Sequence, residues 1–255
     1  MPLHYARRLS SRQRSVQANR HLGVVLTFVA GATNAGAFLA VHQYTSHMTG
    51  ILSAMADHLV LGMWDVVAAG LGALLAFVAG AACSALLVNL GRRHQLHSEF
   101  AGPLLLEAAL LLAFGLLGSR LAELRSYYVP LTVMLLCFTM GLQNALVTKL
   151  SRAEIRTTHV TGIVTDIGIE LGKLAYWNRF RSLDAQVPRV VANRDRLGLL
   201  SLLLLSFFCG GLAGAWGFNR HGYVATVPLA ALLAAVSVPT AWDDVAGWWQ
   251  RHRKA

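Results

Sequence analysis

The stretch LGVVLTFVAGATNAGAFLAV, residues 22–41, decides the fold class of this chain. It carries no charged side chain, and a helix of about 20 residues rising ~1.5 Å per residue crosses the ~30 Å hydrocarbon core of a bilayer. Five further apolar blocks lie at 66–90, 100–119, 128–148, 197–218 and 223–242. None alternates polar and apolar residues as a membrane β-strand does. We therefore predict an all-α integral membrane protein with about six transmembrane helices.

Composition and charge placement agree with a membrane protein. Of the 255 residues, 55% are hydrophobic and 13% are charged, about half the charged fraction of a soluble domain. The formal net charge of +10 would suit a nucleic-acid partner. However, 19 of the 22 Lys and Arg residues fall in the N-terminal tail, the loop 91–99, the segment 149–196 and the C-terminal tail. In a six-span protein all four regions lie on one side, so the positive-inside rule places both termini in the cytoplasm. We expect a lipid bilayer as partner, and no nucleic acid.

The first block contains a motif that the chain repeats. The pattern GxxNA at 31–35 returns at 141–145, and SHMTGI at 46–51 parallels THVTGI at 158–163. The two offsets, 110 and 112 residues, are nearly equal. A unit with three spans must insert its second copy upside down, so we predict two inverted three-helix repeats. The alternative is that these small residues are ordinary helix-packing positions.

The repeats divide the chain into a simple order. We predict a basic cytoplasmic tail at 1–21, a first repeat at 22–121, a second repeat at 128–242 with a cytoplasmic segment at 175–196, and a basic cytoplasmic tail at 243–255. The first block lacks an obvious small-residue cleavage site, so we interpret it as a retained span and not as a removed signal peptide. The Arg-rich start, which has no acidic residue, also suits an organellar transit peptide. The small-residue run 77–83 resembles 208–214 in the other repeat.

Each repeat also contains a shorter segment, 46–62 or 158–174, which is too polar to span and too apolar for a plain loop. If each crossed fully, the charge asymmetry would break down, so we expect re-entrant or interfacial half-helices. Thr49 or Thr161 can cap such a helix, while Gly50 and Gly162 permit an unusual backbone or a close approach.

These motifs resemble the YoaK-like family of bacterial multi-pass inner-membrane proteins of unknown function. The repeated [ST]HxTG motif, the run GLQNA at 141–145 and the stretch RTTHVTG at 156–162 carry the resemblance, which covers about 22–240. It implies location and fold, not an activity. The chain departs from the family pattern at Asn34, where an acidic residue is expected, and at Ile51, where TGN is usual.

Polar groups at membrane depth are the candidates for function, since each is costly unless paired or hydrated. Asn34 and Asn144 can face one another near the midplane, or they can serve only as hydrogen-bonding links between helices. His47 and His159 can relay protons or contact an anion, or they can be satisfied at a helix entrance.

The acidic residues have similar alternatives. Asp166 and Glu170 lie four apart on one helical face, with Asp57 and His58 in the corresponding part of the first repeat. They can bind a cation or exchange protons, or they can be solvated or ion-paired. Glu107 is expected to reach the cytoplasmic interface or to pair with an Arg.

Other features indicate anchoring and exclude chemistry. Aromatic and basic residues at 176–189 and 242–253 suit helices lying on an anionic leaflet. The three cysteines are scattered over separate spans, so we predict no metal or redox site. No P-loop, GxSxG, HExxH or dinucleotide motif occurs, so we expect no nucleotide hydrolysis and no cofactor.

The leading hypothesis is a secondary transporter or channel for a small solute or ion, whose path follows the repeat interface. Its residues would be the ten polar and glycine positions Asn34, Asn144, His47, His159, Thr49, Thr161, Gly50, Gly162, Asp166 and Glu170. A non-transporting scaffold is the second hypothesis, and a lipid-modifying enzyme using His159, Asp166 and Glu170 is the third. The substrate, the coupling ion and the oligomeric state stay open at this point.

Overall fold

A computed structural model of the chain describes residues 16–96, 98–121, 125–150, 158–176 and 190–252. Regular structure in these ranges is helical. The helices, in chain order, are α1 Val16–Val41, α2 Met48–Val60, α3 Trp64–Arg93, α4 Ala101–Leu121, α5 Arg125–Leu150, α6 Val160–Ala175, α7 Arg194–His221 and α8 Thr226–His252, with a 3₁₀ turn at Gly222–Ala225 between the last two.

Each predicted apolar block corresponds to a different long helix, although the block 223–242 begins in the 3₁₀ turn. Over the part of the chain that the structure describes, five stretches are long and apolar enough to cross a membrane, and the fifth, Arg194–Trp242, contains α7, the 3₁₀ turn and most of α8. Pro103 and Pro228 are each the third residue of their helix, where a missing N–H costs little because the first turn has no intrahelical acceptor. The chain is thus a multi-pass helical membrane protein.

Two helices extend beyond the apolar blocks that predict them. Helix α1 begins at Val16, six residues before the block 22–41, and α8 continues to His252, ten residues past the block 223–242. The ends differ because hydropathy marks the apolar part of a helix, whereas backbone hydrogen bonding continues into polar flanks. The predicted tail residues 1–15 and most of the predicted segment 175–196 lie outside the described residues.

Helices α1 and α7 pack in parallel along most of their length. Ser206 Oγ donates a 2.8 Å hydrogen bond to the Val24 carbonyl, and further along the pair Gly214 lies against the Ala32 carbonyl. Helices α3 and α5 form a second parallel pair, in which Lys149 Nζ donates to Asn89 Oδ1 at 3.1 Å. In each pair, a helix of one predicted repeat packs on a helix of the other.

Four glycines bring the backbones of these pairs together. They occupy the last position of four Phe-x-x-Gly motifs, at 28–31, 77–80, 138–141 and 207–210. A Cβ on Gly80 would collide with the Phe138 carbonyl and one on Gly141 with the Phe77 carbonyl. Gly31 and Gly210 have the same reciprocal relation to the carbonyls of the Phe residues in the partner motifs. The motif at 77–80 therefore corresponds to 207–210, and the sequence match to 208–214 was one residue out of register.

Buried side chains form two apolar clusters, one toward each end of the bundle. The first joins the beginnings of α1, α4 and α7 to the ends of α3 and α5, and it also contains residues 229–236 from the first half of α8 and Ile163 of α6. We call this the basic end, since Arg92, Lys149 and Arg196 lie there. The second cluster joins the ends of α1, α4 and α7 to the beginnings of α3 and α5, with Ile51 of α2. We call this the opposite end.

Candidate functional site

Helix α2 begins inside the bundle, at the opposite end. Ser46 Oγ donates a 2.9 Å hydrogen bond to Asn34 Oδ1, and Asn34 lies seven residues, ~10 Å along the helix axis, before the end of α1. The chain therefore turns back along α1 before α2 starts. Three residues then join α2 to α3, with Gly62 at a φ of +74°, a conformation that favours glycine. Thus α2 returns outward beside α3.

Helix α6 has the equivalent placement at the basic end. Thr158 Oγ1 donates a 2.7 Å hydrogen bond to Asn144 Oδ1, which lies six residues, ~9 Å, before the end of α5. Glu170 Oε2 accepts a hydrogen bond from the Asn193 N–H at 2.7 Å, at the start of α7. Since α6 begins ten residues before Glu170, its N-terminus lies ~15 Å deeper in the bundle than Glu170 and the start of α7.

The histidines mark the first turns of these two helices. His47 and His159 are the N-cap residues of α2 and α6, and neither makes a side-chain capping hydrogen bond. A Cβ on Gly50 would collide with the His47 ring, and one on Gly162 with the His159 ring. The glycine of the [ST]HxTG motif therefore leaves room for the imidazole to fold over the first turn.

The predicted capping role of Thr49 and Thr161 is wrong. Each is the second residue of its helix, so the preceding histidine occupies the N-cap position. The backbone dihedral angles, and not the residue type, decide where a helix begins. Thr165 Oγ1 donates to the Thr161 carbonyl at 2.9 Å, as in an ordinary helix interior.

The two asparagines pair with hydroxyl groups of their own halves instead of facing each other at one level. Gln143 Nε2 donates a 3.1 Å hydrogen bond to the Leu26 carbonyl, which places Asn144 near Leu26 along α1. Asn34 lies eight residues, ~12 Å, further toward the opposite end. The structure thus contains two equivalent Asn–hydroxyl hydrogen bonds, one at each short helix.

Asp166 and Glu170 are ion-paired. Asp166 Oδ2 accepts a 2.9 Å hydrogen bond from Arg196 Nη2, and Glu170 Oε1 accepts one of 2.8 Å from Lys173 Nζ. The hydrogen bond from Lys173 is the main cause that lowers the pKa of Glu170, and that from the Asn193 N–H adds to it. These carboxylates tie α6 to the start of α7, which is the ion-paired alternative considered above.

The first half lacks this ion-paired connection. Asp57 is exposed, and the His58 ring nitrogen Nδ1 lies 2.6 Å from the Ala54 carbonyl of its own helix. In the first half, the three-residue connection through Gly62 joins α2 directly to α3. In the second half, the ion pairs hold α6 against the start of α7.

The sequence did not predict the burial of Glu107. Its side chain is 1% exposed, and Oε2 has no hydrogen-bond partner among the residues that the structure describes. It neither reaches the interface nor pairs with an Arg of those residues. The signal that could have found it is its position between Leu104 and Leu111, one turn away on either side of the same helix face. No group of three or more metal-ligating side chains occurs in the described ranges.

These features define the class of the protein as a multi-pass membrane protein built of long helices and two inward-starting short helices. A family model matches residues 22–238, and the chain belongs to that family, DUF1275, described as a protein of unknown function. The match covers both halves and is consistent with the YoaK-like resemblance. Neither a curated protein nor a solved structure matches the chain.

Proposed function

We propose that the protein is a secondary transporter or channel for a small solute or ion. It crosses the bacterial inner membrane six times as two inverted three-helix halves, with both termini in the cytoplasm. Helices α1 to α4 form one half and α5 to α8 form the other. The path of the solute follows the interface between them.

The packing supports inverted halves. Exchanging the halves converts the pair α1 and α7 into the pair α5 and α3, and the same Phe-x-x-Gly contact joins both pairs. The Asn34–Ser46 hydrogen bond likewise becomes that of Asn144 and Thr158. Since the two short helices lie at opposite ends of the bundle, the exchange also turns the unit upside down, as in transporters with inverted repeats.

The ends of the bundle support six crossings. The beginning of α1 belongs to the apolar cluster at the basic end. In the later part of α8, Asp244 accepts a hydrogen bond from the Ser98 N–H, just before α4 begins at that same end. The first and last helices thus meet the basic end as an even number of crossings requires. Arg92, Arg93, Lys149 and Arg196 lie at this end as well. The positive-inside rule then assigns the basic end to the cytoplasm.

The inward-starting N-termini of α2 and α6 carry the proposal. The first backbone N–H groups of a helix have no intrahelical acceptor, and the helix dipole adds positive potential there. In transporters with broken helices such N-termini face the anionic or polar groups of the substrate near the midplane. His47 and His159 stand beside these donors without capping them, which leaves the N–H groups for a solute.

Flux through liposomes tests the proposal. The purified protein would be reconstituted and assayed with a panel of small anions, cations and neutral metabolites. We expect flux of at least one class above that of the Asn144→Leu variant, which removes the acceptor for Thr158. The matched control is Asn89→Leu, the same change at an exposed Asn that meets Lys149 at the basic end, and it should keep the flux. No flux above Asn144→Leu across the panel would end the proposal.

A membrane scaffold is the second candidate, because the hydrogen bonds of Asn34 and Asn144 also serve simply to hold the short helices in place. A scaffold predicts neutral cellular phenotypes for changes at Asn34, His159 and Asp166, and loss only when a packing glycine such as Gly80 is replaced. A transporter predicts loss at the motif residues in protein that is still folded and inserted.

A further inference from the structure

Glu107 is a buried acid in α4 that neither the motifs nor the ion pairs explain. It shares a helix face with Leu104 and Leu111, which are both almost fully buried. No hydrogen bond or ion pair joins its carboxyl group to another residue of the described part of the chain, and Oε2 has no contact with the surface. An acid with these surroundings at membrane depth requires an explanation.

Other unsatisfied polar atoms lie in the same half of the bundle. Leu104 belongs to the same apolar cluster as Leu146, one turn after Gln143 on α5. The Gln143 amide donates to Leu26, while its Oε1 is buried without a partner in the described structure. Ser84 Oγ on α3 is also buried and unpartnered there, and the Lys149–Asn89 contact places it near the level of Gln143. Three helices thus contribute orphaned polar atoms.

The charged groups of the surrounding helices are engaged elsewhere or lie further toward the basic end. Arg92 pairs with Glu99, Lys149 with Asn89, Arg196 with Asp166, and Asp244 accepts from the Ser98 N–H. Arg20 and His21 lie five or six residues before Leu26 on α1, ~9 Å along the axis. Cys83 on α3, next to Ser84, is a further titratable group near this level, and the buried Cys137 on α5 lies six residues before Gln143.

We propose that Glu107 is a proton-exchange site, and that it supplies the coupling proton of the proposed transporter. An ionised Glu107 side chain without a partner among these buried apolar residues would be strongly disfavoured. The carboxyl group therefore holds its proton while the helices are packed as in this structure. When the two halves rearrange and water enters, the O–H bond breaks. The proton passes to a water molecule and the electron pair stays on the carboxylate. The inference rests on the proposed function for its role in coupling, but not for the proton itself.

Infrared spectroscopy of the purified protein in liposomes tests the site without any transported solute. We expect the carbonyl stretch of a protonated carboxyl group at neutral pH, its shift in D₂O, and its loss in Glu107→Gln. Glu170→Gln is the matched control, since Glu170 is 2% exposed but is held by Lys173 and the Asn193 N–H. That variant should keep the band. If Glu107→Gln does not fold, Glu107→Asp should displace the band instead of removing it.

Two results would overturn the inference. One is the absence at neutral pH of any protonated-carboxyl band that depends on Glu107, and the other is a band that D₂O never shifts, which would mean a sealed structural acid. If no solute shows flux but the Glu107-dependent band shifts in D₂O, only the transport proposal is refuted. If flux is observed but the Glu107-dependent band is absent, only the proton-exchange proposal is refuted.

Discussion

Replacing Gly141 with alanine should weaken the packing of α3 on α5. The added Cβ would collide with the backbone carbonyl of Phe77, which cannot rotate away as a side chain can. The two helices must therefore separate, and overpacking of this kind costs about 1–3 kcal/mol. Alanine recovers up to about 1 kcal/mol of helix propensity. For a backbone collision near the upper limit, the net loss in the free energy of unfolding is about 2 kcal/mol.

Gly198→Ala is the matched control for that variant. Gly198 lies in α7, and a Cβ built there meets nothing within 4 Å, so this change should stabilise the protein by about 0.5–1 kcal/mol. Both variants gain the same propensity, and their difference of about 3 kcal/mol therefore isolates the collision. Unfolding in a detergent–denaturant titration, followed by ellipticity, measures it.

The double variant tests the geometry further. Gly80 and Gly141 form one reciprocal contact, so Gly80→Ala combined with Gly141→Ala should cost less than the sum of the single changes. Gly80→Ala combined with Gly210→Ala affects two separate helix pairs and should be close to additive. Equal unfolding midpoints for Gly141→Ala and Gly198→Ala would refute the close backbone approach.

Three other changes have defined outcomes. Because its partners lower the pKa of Glu170 below the ordinary ~4.3, its ionised form favours folding at neutral pH, and this contribution is lost as the pH falls through the lowered value. The denaturation midpoint of the wild type should thus fall more steeply on acidification than that of Glu170→Gln, and parallel pH curves would contradict the bond from Lys173. Gly162→Ala should displace the His159 ring at a cost below about 1 kcal/mol yet reduce flux, and unchanged flux would argue against this turn as the solute site. Gly62→Ala should destabilise by about 1–2 kcal/mol, since its φ is positive, and an unchanged thermal midpoint would contradict that conformation.

The membrane class and the positions of the helices could be predicted from the sequence because both depend on local composition. A run such as 22–41 can avoid water only as a spanning helix, and most of each such run lies in one helix of the structure. The helix ends were less predictable. At α8, apolar residues stop near Trp242 while the hydrogen-bonded helix continues to His252.

The candidate site was partly predictable for the same reason. The repeated [ST]HxTG motif identified the start of α2 and α6, since a motif kept twice in one chain indicates the same local structure twice. The partner of each motif was not predictable. Asn34 accepts from Ser46 only because the chain folds back along α1, and local spacing does not determine that distance.

The sequence by itself determined a helical membrane protein with a repeated polar motif and a basic side, because hydropathy, charge and repetition act locally. Tertiary structure decided the register of the Phe-x-x-Gly contacts, the ion pairs of Asp166 and Glu170, and the burial of Glu107. Each of these depends on which face of a helix meets another helix. In a chain apolar on every side, packing and not hydrophobicity selects that face.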